Sequence, residues 1–212
     1  MKTTLNKIRD KRPCVSGWTK LMRELNKTQA DDEELTIVQI LDSNGFIDAL
    51  WCLRAVERRD REIRHYAVWC ARQVQHLMPD TRSIAALDVS ERFANGLATK
   101  EELGAARNAC YAACDAVDAS YYAEYYVGKA KSSASSAAGS AADTDDVSAY
   151  AAACYAVDAA AYDAMDAAAY AAVDATAYDA VKYSARSAQE TKLRELCAWC
   201  EQNPVKMSEG KV

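Results

Sequence analysis

Apolar side chains recur at helical spacing along most of this chain. Trp18, Leu21, Met22 and Leu25 fall on one side of a short helix that Ser16 is placed to cap. After the polar break at 26–32, Asp31 or Asp32 is positioned to cap a second helix marked by Leu35, Val38 and Leu41. The stretch TIVQIL also has the composition of a strand, and Ser43-Asn44-Gly45 supplies its stop. Ile47, Leu50, Trp51 and Ala55 line a third face. Beyond a break near Asp60, Ile63, Tyr66, Ala67, Cys70, Val74 and Leu77 trace a helix that Pro79 must end. Asp80 or Thr81 restarts the chain, Ile84, Leu87 and Phe93 give the next apolar side, and Asn95-Gly96 closes it. Thr99 and Glu102 have capping-box spacing, after which Leu103, Ala106, Cys110, Ala113 and Val117 lead toward Tyr121 and Gly128.

From Tyr150 to Tyr183 the pattern changes to an Ala/Tyr/Asp tract. Asp158, Asp166 and Asp174 recur at one spacing, as do Tyr162, Tyr170 and Tyr178. Ala favours helix because it loses no side-chain entropy there. One helix from Asp146 to Asn203 would reach about 87 Å at 1.5 Å per residue. The tract is therefore expected to divide into at least two antiparallel helices, with an Asp-led break between Asp163 and Asp179. The last helix holds Leu193, Leu196, Cys197 and Cys200 and ends before Pro204.

These elements predict an all-α fold, an antiparallel array or bundle of about seven to ten helices, with the Ala-rich helices packed near the low end of the usual 8–10 Å spacing. The expected organisation is a flexible arm at 1–15, a helical part at 16–128, a Ser/Ala-rich linker or hairpin at 129–144 (KAKSSASSAAGSAADT), and an Ala-rich helical part at 145–203 packed on the first as one domain. A tail at 204–212 completes it.

Charge sharpens this picture. Residues 1–104 hold 17 basic and 16 acidic side chains, residues 105–181 hold 3 and 11, and residues 182–212 hold 6 and 4. The acidic segment repels nucleic acid and suits a basic protein partner. Charges interrupt every apolar stretch long enough to span a membrane. The N-terminus, MKTTLNKIRDKRP, is basic with no apolar run behind it, and several of the eight cysteines sit beside Ala at helix-interior positions. A cytoplasmic protein with reduced thiols is the expectation.

Candidate chemistry is sparse. His65 and His76 are the only histidines. Cys197-Ala198-Trp199-Cys200 has redox-motif spacing without the βαβ context such a motif needs, and without a second pair to complete a zinc site. The composition therefore predicts no catalytic residue, no metal and no cofactor. Asp158, Tyr162, Asp163, Asp166, Tyr170, Asp174 and Tyr178 form the expected partner-binding face, since Tyr buries apolar area at an interface while keeping its hydroxyl bonded. A homodimer is also expected from this surplus of Tyr and Ala faces. The competing readings are a small anionic ligand or an enzyme site where Trp51, Arg54, Arg64, Trp69 and Arg72 meet, and a purely structural self-associating protein.

The stretches LDSNGFIDALWCLRAV at 41–56, DREIRHYAVWCARQVQHLMPDTRSIAALDVSERFANG at 60–96 and TKEELGAARNACYAA at 99–113 resemble the Imm-5-like group of putative immunity proteins of bacteria and phages. The resemblance draws attention to Gly45, Asp48, Leu50, Trp51 and Arg54, then to Arg64, Trp69, Arg72, Pro79, Arg82, Leu87, Glu91 and Gly96. It implies a non-catalytic protein that neutralises a toxin partner. This chain carries Tyr and Asp where many members of that group have Trp and Arg in the Ala-rich repeats, which implies a more basic partner than theirs.

Overall fold

Helices dominate the chain, as its pattern predicts. The structure is a computed structural model that describes residues 1–120, 125–143, 149–169 and 175–205. Among these are ten α-helices, two short 3-10 turns and a single pair of two-residue strands. None of the described helices is long and apolar enough to cross a membrane. The chain divides into two units, Met1–Arg59 with Thr191–Val212, and Asp60–Glu190.

Unit one begins with β1 (Lys2–Thr3), which pairs antiparallel with β2 (Leu35–Thr36) so that Lys2 opposes Thr36 and Thr3 opposes Leu35. Helix α1 (Leu5–Asp10) is capped by Thr4. Met1, Leu5 and Ile8 are buried, so the expected flexible arm is instead part of the core. Its apolar residues lie at the spacing of one short helix face, a signal hidden beneath the surrounding Lys and Arg.

Helix α2 (Val15–Glu24) is capped by Cys14, not Ser16. Helix α3 (Ile37–Asn44) takes Thr36 as its cap, with the reciprocal bond donated by the Thr36 amide to Gln39 Oε1, so neither Asp31 nor Asp32 performs that role and TIVQIL is mostly helix. Gly45, at φ 94°, joins α3 to α4 (Phe46–Cys52), in a backbone region closed to most side chains. A 3-10 turn at Leu53–Ala55 follows. The C-terminal half of α10 (Ala175–Gln202) completes this unit, inserting Leu193 and Cys197.

Unit two holds α5 (Asp60–Arg72), α6 (Thr81–Ala94), α7 (Lys100–Ser120), α8 (Tyr125–Ala141), α9 (Ala149–Ala169) and the start of α10. A 3-10 turn at Gln75–Leu77 separates α5 from Pro79, so the long helix read from the sequence ends seven residues before that proline. Asp80 caps α6. At the other end Gly96 donates to Phe93 O and Leu97 to Arg92 O, the paired bonds of a Schellman closure. The Thr99–Glu102 capping box is present in both directions, at 2.7 and 3.1 Å.

The expected linker at 129–144 is the largest correction. Through Ala141 it is helix α8, which packs on α5, α6, α7 and α9 and is the hub of unit two. Ala130, Ala134, Ala137, Ala138 and Ala141 are buried, together with Ser135 and Ser140. Small side chains let four neighbours approach one helix. The Ser/Ala/Gly composition that suggests a loop is therefore the condition for this packing. Gly139 belongs to the same surface, since a Cβ there would stand 2.9 Å from Tyr111 Cε1.

Against α8 lies α9, burying Ala149, Ala152, Ala153, Ala156, Val157 and Ala159. Gln189 of α10 donates to Ala153 O at 3.0 Å and Lys182 pairs with Asp158 at 3.1 Å. Rising numbers on α10 thus meet falling numbers on α9, which makes the two antiparallel. The Ala-rich tract thus forms two antiparallel helices, Ala149–Ala169 and Ala175–Gln202, and residues 170–174 between them, within the range of the expected Asp-led break, lie outside the described residues.

Candidate functional site

The described part of the expected binding face centres on Asp158. Its carboxylate is half-buried and bonds the Lys182 ammonium of α10. In the antiparallel register, Tyr155 of α9 and Tyr183 of α10 stand near the level of this pair. They are 41% and 78% exposed, so the two helices that this charge pair joins each carry exposed aromatic surface. Tyr111 on α7 is also 41% exposed and packs its ring edge against Gly139, and burial pushes its hydroxyl to a higher pKa. Tyr162, Asp163 and Asp166 lie on α9 and Tyr178 on α10, but their side chains, like Tyr170 and Asp174 entirely, are outside the described residues. Tyr155 and Tyr183 did not enter the predicted face, although both lie in the Tyr-rich tract that suggested it.

The proposed Trp/Arg cluster is divided between the units. In unit one the Arg54 guanidinium sits 5.4 Å over the Trp51 ring. In unit two Arg64 is 4% exposed, donates from Nη1 to Ala141 O at 2.9 Å, and lies 5.1 Å over the Phe93 ring. The Ala141 carbonyl belongs to the open C-terminal turn of α8, where a cation is favoured by the aligned peptide dipoles. Burial is the main effect on this guanidinium and lowers its pKa. Trp69 stacks beside Tyr66 at 6.4 Å. Arg72 bridges Asp88 at 3.0 Å and Glu91 at 2.8 Å while also donating to Gln75, and these carboxylates raise its pKa against the cost of burial. Arg64 and Arg72 thus hold helices together.

Arg59 performs the same service in unit one. Its Nη2 donates to Cys200 O at 3.0 Å and to Asn203 O at 2.8 Å, closing the carbonyl end of α10. Nearby is an open cleft of about 680 Å³. Met1, Val56 and Cys200 contribute apolar buried surface, and Pro204 and Val205 form part of the rim. Charged side chains ring it. Lys2 meets Glu34 at 2.6 Å, Lys7 meets Glu57 at 3.1 Å, and Arg58 and Glu201 complete the lining. Arg58 holds φ 59°, a left-handed backbone conformation that costs a non-glycine residue about 1–3 kcal/mol. The cleft includes none of the five Trp and Arg residues of the predicted pocket.

The thiols are packing groups in the main. Cys197 and Cys200 are buried, and desolvation pushes the Cys197 thiol up to about 11. Burial likewise drives Cys52 and Cys70 up to about 12. A low thiolate fraction at neutral pH makes such groups poor nucleophiles. Cys14 differs: it is exposed, and bonds from Ser16 and from the Gly17 amide lower its pKa. Among the described residues no group of three or more His, Cys, Asp or Glu is arranged to hold a metal ion.

Comparison of the chain with family models, curated proteins and solved structures finds no match. The resemblance to the Imm-5-like group therefore rests on the sequence stretches quoted above.

Proposed function

We propose that this chain is a non-catalytic binding protein of the immunity or inhibitor kind. In this reading it holds a basic protein, a toxin or a defence-related nuclease, on the Tyr- and Asp-rich face of the α9–α10 pair. The observation that carries the reading is exposed Tyr155 and Tyr183 on the two antiparallel helices that the Asp158–Lys182 pair joins, next to a segment, 105–181, where acids outnumber bases 11 to 3. Tyr supplies large contact area with little rotamer entropy to lose. The acidic field supplies attraction over distance, which raises the association rate and makes it sensitive to salt. A cytoplasmic setting, where the thiols stay reduced, suits the proposal.

Capture of a catalytically inactive basic nuclease toxin on the immobilised full chain tests it. The triple variant Asp158→Asn, Asp166→Asn, Asp174→Asn should lose capture, and Tyr155→Ser with Tyr183→Ser should weaken it at constant salt. Capture by the triple variant that equals wild type in both low and high salt would overturn the acidic-face reading. Light scattering of the free protein distinguishes a partner face from a self-association face: a dimer that the two Tyr substitutions dissociate would assign those rings to a second copy.

A further inference from the structure

Cys110 and Cys114 sit one helical turn apart on α7, within unit two, and both are buried. Three helices build a polar niche around the first of them. The Cys110 thiol lies 3.6 Å from Ser83 Oγ on α6 and donates to Ser135 O on α8 at 3.3 Å. Ser83 and Ser135 are themselves fully buried, and the Ser135 hydroxyl has no hydrogen-bond partner. A hydrogen bond from Cys114, and after it one from Ser83, lower the Cys110 pKa in spite of its burial. Burial prevails in the opposite direction at Cys52, Cys70 and Cys197. The Cys110–Cys114 pair is thus prepared to hold negative charge on sulfur.

Geometry decides what such a pair can do. Residues four apart on a helix hold their Cβ atoms about 5–6 Å from each other. A disulfide needs about 3.5–4.5 Å, so a direct bond between the sulfurs would distort the turn. A single atom placed between the sulfurs spans the longer gap. Zinc is a poor bridge, because it takes four ligands and, among the described residues, no third His, Cys, Asp or Glu joins the pair. Two thiolates suit a soft ion of low coordination number, Cu(I) first.

We propose that Cys110 and Cys114 form a two-coordinate thiolate site for a soft monovalent ion, Cu(I). Both thiols release their protons to solvent as the two S–Cu bonds form, and copper stays Cu(I) throughout, so no oxidant or reductant is consumed. The complex keeps one net negative charge. The Ser83 hydroxyl can donate to it, and Ser135 has a hydroxyl to spare on the residue that Cys110 already touches. Asp80 and Arg82, whose charges act on Cys110 in opposite senses, are paired with each other. Cys114 keeps 6% of its surface exposed, beside exposed Tyr111 and Ala112, so an incoming ion meets Cys114 first. The site uses no residue of the proposed α9–α10 face, so each proposal can fail without the other.

The test is an anaerobic titration of the full chain with Cu(I) against the chromogenic chelator bicinchoninate. Transfer of at least one equivalent of copper per chain is expected. Cys110→Ala and Cys114→Ala should each weaken that binding about a hundredfold, or about 2.7 kcal/mol, whereas Cys197→Ala with Cys200→Ala should retain one equivalent. X-ray absorption at the copper edge of this last variant should report two sulfur neighbours and no nitrogen. Circular dichroism identifies the variants that fold, and Cys114→Ala, at the edge of the core, carries the test if Cys110→Ala does not fold. The proposal is overturned by a full chain that takes no copper from the chelator, or by a folded Cys110→Ala or Cys114→Ala protein that takes it as tightly as wild type. Transfer that the Cys197 and Cys200 substitutions abolish, or a copper edge showing nitrogen or a third sulfur, would overturn it equally.

Discussion

Replacing Arg64 by Met removes a buried charge while keeping a long apolar stem in its place. Three contributions are lost. The bond to Ala141 O is charge-assisted and contributes about 1.5–3 kcal/mol. The contact over Phe93 contributes about 0.5–2 kcal/mol. Favourable alignment with the end of α8 adds about 0.3–1 kcal/mol, part of which the hydrogen bond already contains. Opposing them is relief of desolvation, the first cause of the lowered pKa and a cost of several kcal/mol for a buried ion before compensation. The carbonyl left behind adds its own penalty, so the balance is expected at about 2–3 kcal/mol of lost stability. Urea unfolding monitored by circular dichroism measures it, and hydrogen exchange at 138–142 should accelerate more than exchange in α7. Adding Phe93→Leu supplies a double-mutant cycle, with a coupling of at least about 0.5 kcal/mol expected between the contacting residues. An Arg64→Met protein within about 0.5 kcal/mol of wild type would refute this reasoning and show that the buried charge costs as much as it contributes.

Ala138 is fully buried on α8, so Ala138→Leu should cost about 1–3 kcal/mol by overpacking, whereas Ala112→Leu on the exposed side of α7 should stay within about 0.5 kcal/mol; equal urea midpoints would sink the close-packing argument. Asp80 caps α6 and is gripped by Arg82 at 2.7 and 3.0 Å, which holds its carboxyl at about 2, below its ordinary value near 4. Because the folded pKa is the lower one, this stabilisation is complete above pH 4 and disappears as pH falls toward 2. Asp80→Asn keeps a capping oxygen without the charge, so its deficit relative to wild type should shrink across that window, and a deficit that stays constant from pH 5 to pH 2 would disprove the assignment.

Local signals in the sequence carried far. The Thr99 capping box, the Asp80 cap and the Asn95-Gly96 closure each depend on atoms within a few residues, and all are present. The split of the Ala-rich tract was legible for a global reason, since one uninterrupted helix would outrun a protein of this size. Helix α8 was not legible, because Ser and Ala serve equally in a loop and in a crowded interhelical seam; only the neighbours decide. Arg59 carried no signal of its role, and Arg64 was legible only as a member of the Trp/Arg group. Their acceptors are 141 and 77 residues away, a separation that leaves no periodic trace. Of the expected Asp/Tyr face only Asp158 has a described side chain, and its pairing with Lys182 depends on the register of two helices, which composition does not carry.

The hydrogen bond from Arg59 to Cys200 has a consequence for synthesis. Unit one is assembled from both ends of the sequence, and Arg59 must wait for a residue made 141 positions later. At about 5–20 residues per second, the ribosome leaves that interval open for roughly 7–28 s. During it, Leu5, Ile8, Leu21, Ile37 and Leu50 wait for Leu193 and Cys197 of α10, which are buried in the same unit. All of Asp60–Glu190 is translated within the same interval, so the middle of the chain can finish folding first. The nascent N-terminal segment is therefore the stretch that stays incomplete longest, and a chain released after residue 190 would carry a helical body behind an unfinished leading end.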